Sequence, residues 1–272
     1  MAFRDEYSLY QSRYPKKRTT LCGTTIYFRW HRDAAAKRKK AVIFPGETGL
    51  MDTTYRLFNG LAHCFDIVTF ELPRGNNDKA VVNTLIDKTV GTPDVIVGFG
   101  MAGILAAQYC GDEAYRRTTF VTDDSSYLWL KGDAHARLSA KKIAAEVNAG
   151  VKVAKNLPRI LIAKQGKQLF FSYIGKCSAV EKDYLNAMYD KLTETVDVAD
   201  LTAQADVISK TLSDAGNYQR FITESNFLIF CETGAAAREI QSDGKSVIPF
   251  YDYKDVLLKS RDYFTVIIDR LS

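Results

Sequence analysis

Between Pro93 and Tyr109 the chain reads Pro-Asp-Val-Ile-Val-Gly-Phe-Gly-Met-Ala-Gly-Ile-Leu-Ala-Ala-Gln-Tyr. A short β-branched run, Val95 to Val97, breaks on Gly98, Gly100 and Gly103 and continues as an alanine- and leucine-rich stretch. β-Branched side chains favour extended backbone, and alanine and leucine favour helix. The spacing therefore predicts a strand, a tight turn and a helix. Such a turn holds one residue on a strained bend above the C-terminal edge of a sheet, facing whatever binds there. In the G-x-S-x-G form of this turn the central position carries an attacking hydroxyl. Here that position is Gly100, so the bend is written into the chain and the nucleophile is not.

The rest of the chain supplies the sheet around that bend. Residues 1 to 18 read as an irregular lead-in. Thr19 to Trp30 alternates β-branched and aromatic residues around Gly23, the pattern of a hairpin. Ala41 to Phe44 is a buried strand that stops at Pro45-Gly46, and Glu47-Thr48-Gly49 continues the loop. Asp52 or Thr53 is expected to cap a helix to about His63. Asp66 to Leu72 is the next strand, closed by Pro73-Arg74-Gly75, and Asn77 or Asp78 caps a helix to Val90. Thr118 to Thr122 is another strand, ending at Asp123-Asp124-Ser125-Ser126. From Tyr127 to Phe221 the pattern is helical, after which Asn226 to Cys231 and Ser246 to Phe250 resume the strands and Asp255 to Leu271 forms an amphipathic helix. Strands separated by helical segments demand crossover connections. The predicted class is α/β, a mostly parallel central sheet flanked by helices. Residues 1–126 and 222–272 make the core, and 127–221 an inserted helical cap (lid).

Composition excludes several function classes. The 272 residues carry a formal net charge of +5. Two basic clusters, Lys16-Lys17-Arg18 and Lys37-Arg38-Lys39-Lys40, are read as solvated loops next to strands. Aromatics are not interleaved with basic residues, which argues against nucleic acid as a partner. Cys22, Cys64, Cys110, Cys177 and Cys231 are odd in number and without C-x-x-C, the usage of a reduced, cytoplasmic chain without a zinc site. No apolar run is long enough for a membrane span. No motif calls for a cofactor or a metal, one glycine pattern excepted, and a homodimer is left open.

Pro45-Gly46 after the first buried strand resembles the oxyanion loop of the α/β-hydrolase superfamily. Leu72-Pro73-Arg74-Gly75 occupies the place of its Asp-x-x-Gly turn, and Gly98 to Gly103 the place of its nucleophile elbow. A cap ahead of the last two strands fits as well. Within the superfamily, Tyr14-Pro15-Lys16-Lys17, the loop Phe44 to Gly49 and the helical cap are most similar to maspardin and its bacterial relatives. The resemblance implies an α/β-hydrolase fold with a degenerate triad. Its nucleophile position falls on Gly100, its acid on Thr233 or Gly234, and its base on Tyr253. The only histidines are His31, His63 and His135, so nothing after residue 135 can supply the imidazole that takes the nucleophile's proton. Gibberellin receptors and N-myc downstream-regulated proteins are similar cases, in which the fold serves binding.

What remains of the pocket is a set of backbone donors. The amides of Glu47 and Met101 are expected to face the oxyanion position, with the positive end of the helix that begins near Met101. Gly46, Glu47, Gly100, Met101 and Asp123 are the candidate ligand-binding residues, and the partner is a small molecule or a protein. Glu47, the one carboxylate beside the vacant elbow, supports an alternative, an unconventional hydrolase or lyase. Asp124, Cys231 and Glu232 join Asp123 and Glu47 at the same edge, with Cys231 read as a buried thiol. Asp123 and Asp124 can also cap the next helix, and Ser125 and Ser126 lack a histidine partner. A second alternative arises because Gly98-x-Gly100-x-x-Gly103 satisfies G-x-G-x-x-G, with Asp123 placed as a ribose-binding acid; it predicts NAD or FAD binding.

Overall fold

The structure, a computed structural model, describes residues 3–46, 49–73, 78–111, 115–154, 159–194, 198–214, 216–232 and 234–271. Eight strands form one sheet: β1 (Lys17–Leu21), β2 (Thr24–His31), β3 (Lys39–Ile43), β4 (Phe65–Phe70), β5 (Val95–Val97), β6 (Thr119–Asp123), β7 (Asn226–Phe230) and β8 (Ser246–Ile248). Their order is β1-β2-β4-β3-β5-β6-β7-β8. β1 and β2 form the predicted hairpin, turned by Cys22 and Gly23, both at positive φ. That pair of positive dihedrals matches the twist of a two-residue hairpin loop. β2 lies antiparallel to β4, and the other neighbours are parallel.

Strand alternation sorts the core into two faces. Val42, Phe44, Val68, Phe70, Ile96 and Phe120 point into one hydrophobic cluster. Ala41, Ile43, Ile67, Val95, Val97 and Val121 point into the other. The first face is covered by α3 (Asp78–Thr89), α4 (Met101–Cys110), α5 (Asp124–Lys131), α6 (Ala134–Ala154) and α9 (Val198–Ser213). The second is covered by α1 (Phe3–Arg13), α2 (Tyr55–Leu61), α7 (Arg159–Ile174), α8 (Ala179–Thr193), α12 (Tyr253–Leu258) and α13 (Ser260–Leu271). The helices between β6 and β7 thus divide between the faces, α6 and α9 joining one cluster and α7 and α8 the other. α10 (Gln219–Glu224) and α11 (Gly234–Ser242) flank β7. Among the described residues no helix is long and apolar enough to cross a membrane.

Three expectations are corrected. The lead-in is not irregular: Phe3, Tyr7 and Tyr10, at i, i+4 and i+7, make a buried stripe on α1, continued by Tyr14. Tyrosines carried that stripe, so the segment looked polar. Asp52 and Thr53 do not cap α2. They lie in a 3-10 turn, Met51–Thr54, where Thr53 Oγ1 donates to the Leu50 carbonyl and Asp52 turns inward. The C-terminal helix is broken at Lys259 into α12 and α13.

Candidate active-site remnant

The predicted strand, turn and helix are β5, the bend and α4. Gly100 sits at the apex with φ 59° and ψ −134°, a conformation strained for any residue with a side chain. The two flanking glycines are needed for close approach. A Cβ on Gly98 would lie 2.5 Å from the Ala102 carbonyl oxygen, and one on Gly103 would collide with Thr122 Oγ1 and Ser126 Oγ. The G-x-G-x-x-G spacing is therefore accounted for by a strand turning tightly into a helix that packs on β6.

Asp123, at the end of β6, closes the bend from beneath. It occupies the N-cap position of α5 but makes no capping bond. Its carboxylate instead accepts the Gly100 N–H at 2.9 Å and the hydroxyls of Ser125 and Ser126. Ser126 Oγ also lies 2.6 Å from the Gly100 carbonyl, its one proton shared between that oxygen and Asp123. Only 1% of Asp123 is exposed, so its carboxylate is buried and engaged from inside the fold, away from any ribose. Asp124 accepts the Glu232 N–H at 3.0 Å. Burial, with the neighbouring charge of Asp123, raises the Asp124 pKa. Burial, then the charges of Asp124 and Asp123, push the Cys231 thiol up to about 12. A thiol held protonated in this way is a poor nucleophile.

Tyr253, the residue expected at the base position, lies beside Gly46. It opens α12, whose cap is Asp252 accepting the Lys254 N–H at 2.9 Å. Its Oη lies 2.7 Å from where a Cβ on Gly46 would be. The phenol of Tyr253 and the Pro45-Gly46 loop are therefore in contact. Phe99, just before the apex, stacks on Tyr251 with ring centroids 5.8 Å apart and meets Phe230 and Tyr263 edge-on. What is left between Gly46, Thr54, Gly98, Phe99, Ala102 and Tyr253 is a cavity of about 10 Å³, enough for one water.

The remaining candidates fall elsewhere. Met101 is the first residue of α4 and is buried. Gly234 opens α11, with nothing within 4 Å of a Cβ built on it. Glu47 and Thr233 lie outside the described residues. His31 ends β2 opposite Ile67, and His63 lies in the turn before β4, so both belong to the opposite end of the sheet from the elbow. Burial, then the charge of Arg38, lowers the His31 pKa. His135 is exposed on the first turn of α6.

A buried ion pair behind the oxyanion loop escaped the reading of the sequence. Arg29 on β2 grips Asp52 with two parallel bonds, Nε to Oδ1 and Nη2 to Oδ2, each 2.7 Å. Tyr7 Oη donates to Asp52 Oδ2 at 2.6 Å, and the Arg29 guanidinium lies 5.0 Å from the Tyr10 ring centre. Arg29 also donates to the Tyr14 carbonyl. Burial, and next the charge of Asp52, raise the Tyr7 pKa beyond its usual range. The network ties α1, β2 and the turn after the oxyanion loop into one unit. The signal was present as an isolated arginine in an apolar strand and tyrosines at helical spacing.

No protein-family profile and no curated protein sequence matches the chain. Solved structures do. MGS-M2, an α/β hydrolase enzyme from a Medee basin deep-sea metagenome library, is similar with a TM-score of 0.68 at 10% identity, over 94% of this chain and 96% of that one. A hydrolase from Pseudomonas aeruginosa PAO1 gives 0.67 at 10% identity, over 95% and 98%. The enol-lactonase from Burkholderia xenovorans LB400 gives 0.63 at 12% identity, over 93% and 98%. The eight-stranded sheet, the glycine bend after β5 and the near-complete overlap with these enzymes lead to one conclusion: this chain has the α/β-hydrolase fold.

Proposed function

We propose that this protein is a pseudo-hydrolase, an α/β-hydrolase-fold protein that works by binding and not by covalent catalysis. The observation that supports this best is the elbow itself. Gly100 keeps a strained, glycine-only bend while offering no nucleophile, and Tyr253, proposed as the counterpart of the general base, lies against Gly46. Acyl transfer needs an activated nucleophile and an acceptor for its proton. Gly100, half-buried at the apex, and Glu47 are proposed to face the ligand; Gly46, Met101 and Asp123 are buried and are proposed to shape the bend from behind, and residues 127–221 are the proposed cap. The partner proposed is a small molecule or a protein. A kinship with maspardin and its bacterial relatives is part of this proposal, and Asp123, buried under Gly100, is not offered to a dinucleotide.

The test is hydrolysis of short- and medium-chain p-nitrophenyl esters by highly purified protein, with Glu47→Gln in parallel. The expected result is no turnover above a denatured control in either protein. Turnover that disappears in Glu47→Gln would overturn the reading and make Glu47 the centre of an unconventional hydrolase.

A further inference from the structure

The charge of this chain is concentrated in one place. Between residues 134 and 176 there are nine lysines and arginines and one acid, Glu146, whereas the whole chain carries +5. The segment is more basic than the protein, so the remainder is net acidic. Most of it is α6 and α7.

The side chains of α6 are sorted by face. Ala140 and Ala144 are buried, and Ile143 and Val147 pack against the core cluster that also holds α9 residues Val207 and Ile208. The outer face carries Leu138, Lys141, Lys142, Ala145, Ala149 and Lys152, spaced three and four apart and all exposed. Residues at that spacing form one stripe on a helix. Leu138 is 53% exposed, and on α7 Leu161 is 42% exposed one turn before the exposed Lys164. Among the described residues none of Lys141, Lys142, Lys152 and Lys164 has an ion-pair partner; on α7, Lys167 is paired with Asp190. The outer stripe of α6 is thus a row of ammonium groups interleaved with leucine and alanine, with one carboxylate, the exposed Glu146, at its edge four residues after Lys142.

We propose that this outer face of α6 is a docking surface for an anionic lipid bilayer, on which the protein lies peripherally. A helix that presents lysines and exposed apolar residues on the same outer stripe suits the headgroup boundary. The leucine enters the acyl edge, while lysine stems lie along it with their ammonium groups among the phosphates. Each such lysine strengthens binding to an anionic leaflet about fivefold. Lysines alone also bind nucleic-acid phosphates, but that mode makes no use of the exposed leucine on the same stripe, and duplex DNA is therefore a competing arm of the test. The inference is independent of whether the elbow turns over a substrate.

The experiment is cosedimentation of the full chain with vesicles of pure phosphatidylcholine and with vesicles that also contain phosphatidylserine, at low and at physiological salt. Binding to the phosphatidylserine vesicles alone, weakened by salt, is expected. The triple variant Lys141→Gln, Lys142→Gln, Lys152→Gln should lower partitioning roughly 100-fold, and Leu138→Asn should lower it several-fold without changing the salt dependence. All substituted side chains are exposed, and unchanged melting curves will show that the variants fold. Equal binding to both vesicles, no binding to either, or unchanged binding by the triple variant would overturn the proposal. So would capture by duplex DNA or polyglutamate in place of vesicles.

Discussion

The Gly100 amide donates to Asp123 Oδ1 at 2.9 Å, joining the apex of the elbow to the end of the neighbouring strand. The carboxylate also collects the hydroxyls of Ser125 and Ser126, and Ser126 shares its one proton with the Gly100 carbonyl. Both polar groups of the glycine peptide are thus held from beneath. The bend keeps its shape without any side chain at its apex, because its geometry is a property of the backbone and the layer below it.

Restoring a hydroxyl should not restore chemistry. Gly100→Ser places a Cβ on a residue at φ 59° and ψ −134°, and a loss of about 1–3 kcal/mol is expected in urea unfolding. The variant should stay inactive on p-nitrophenyl esters, since no histidine follows residue 135 and His31 and His63 lie at the other end of the sheet. Ester turnover gained by this one change would show that Tyr253 or a neighbour already serves as a base.

Gly46 and Tyr253 should be energetically coupled. A Cβ on Gly46 falls 2.7 Å from the phenol oxygen, so Gly46→Ala pushes the ring aside. Destabilisation of about 1–3 kcal/mol is expected from such overpacking. Tyr253→Phe removes the oxygen in conflict, so the double variant should be more stable than the sum of the single losses implies. A double-mutant cycle in urea measures this, and strict additivity would refute the contact.

The ion pair behind the loop should dominate the stability of the N-terminal segment. Asp52→Asn leaves the Arg29 guanidinium, 2% exposed, without its counter-charge, and about 3–5 kcal/mol should be lost. Tyr7→Phe removes one hydrogen bond to a carboxylate and should cost about 1.5–3 kcal/mol. Limited proteolysis should cut α1 earlier in both variants, and earlier in Asp52→Asn.

One carboxylate should make stability fall as pH rises. Asp78 opens α3 with Oδ1 buried and unbonded. Burial lifts its carboxyl to about 6, helped by Asp206 and opposed by Lys210. In the window from 3.8, the ordinary value, to about 6 the folded chain keeps a proton that the unfolded chain has lost. This contribution is therefore complete below that window and is lost on going up through it. Asp78→Asn should raise stability at neutral pH by about 1 kcal/mol, after allowing for solvent screening, and the gain should vanish near pH 4. Urea midpoints of both proteins across this range check the sign.

Much of the scaffold could be read locally. β-Branched runs marked β3 to β8, and the glycines around Gly100 marked the bend, because strand alternation and positive φ are properties of a few consecutive residues. The contact of Tyr253 with Gly46 was not legible, because it joins two segments about 200 residues apart that only the packed sheet brings together. The expectation for Asp123 was incomplete: its place at the end of β6 was legible, but its role under the bend was not. Four donors from two segments converge on that carboxylate, and no spacing rule links Gly100 to Asp123.

Residue order by itself determined the class of fold, the bend without a nucleophile and the absence of any histidine after residue 135. Only the tertiary structure decided what the isolated polar residues do. Arg29 and Asp52, apart in the chain, become one buried pair because the hairpin and the turn after the oxyanion loop pack against the tyrosine stripe of α1. A buried charge needs a partner brought by folding, and that partner's identity depends on which segments the whole core brings together.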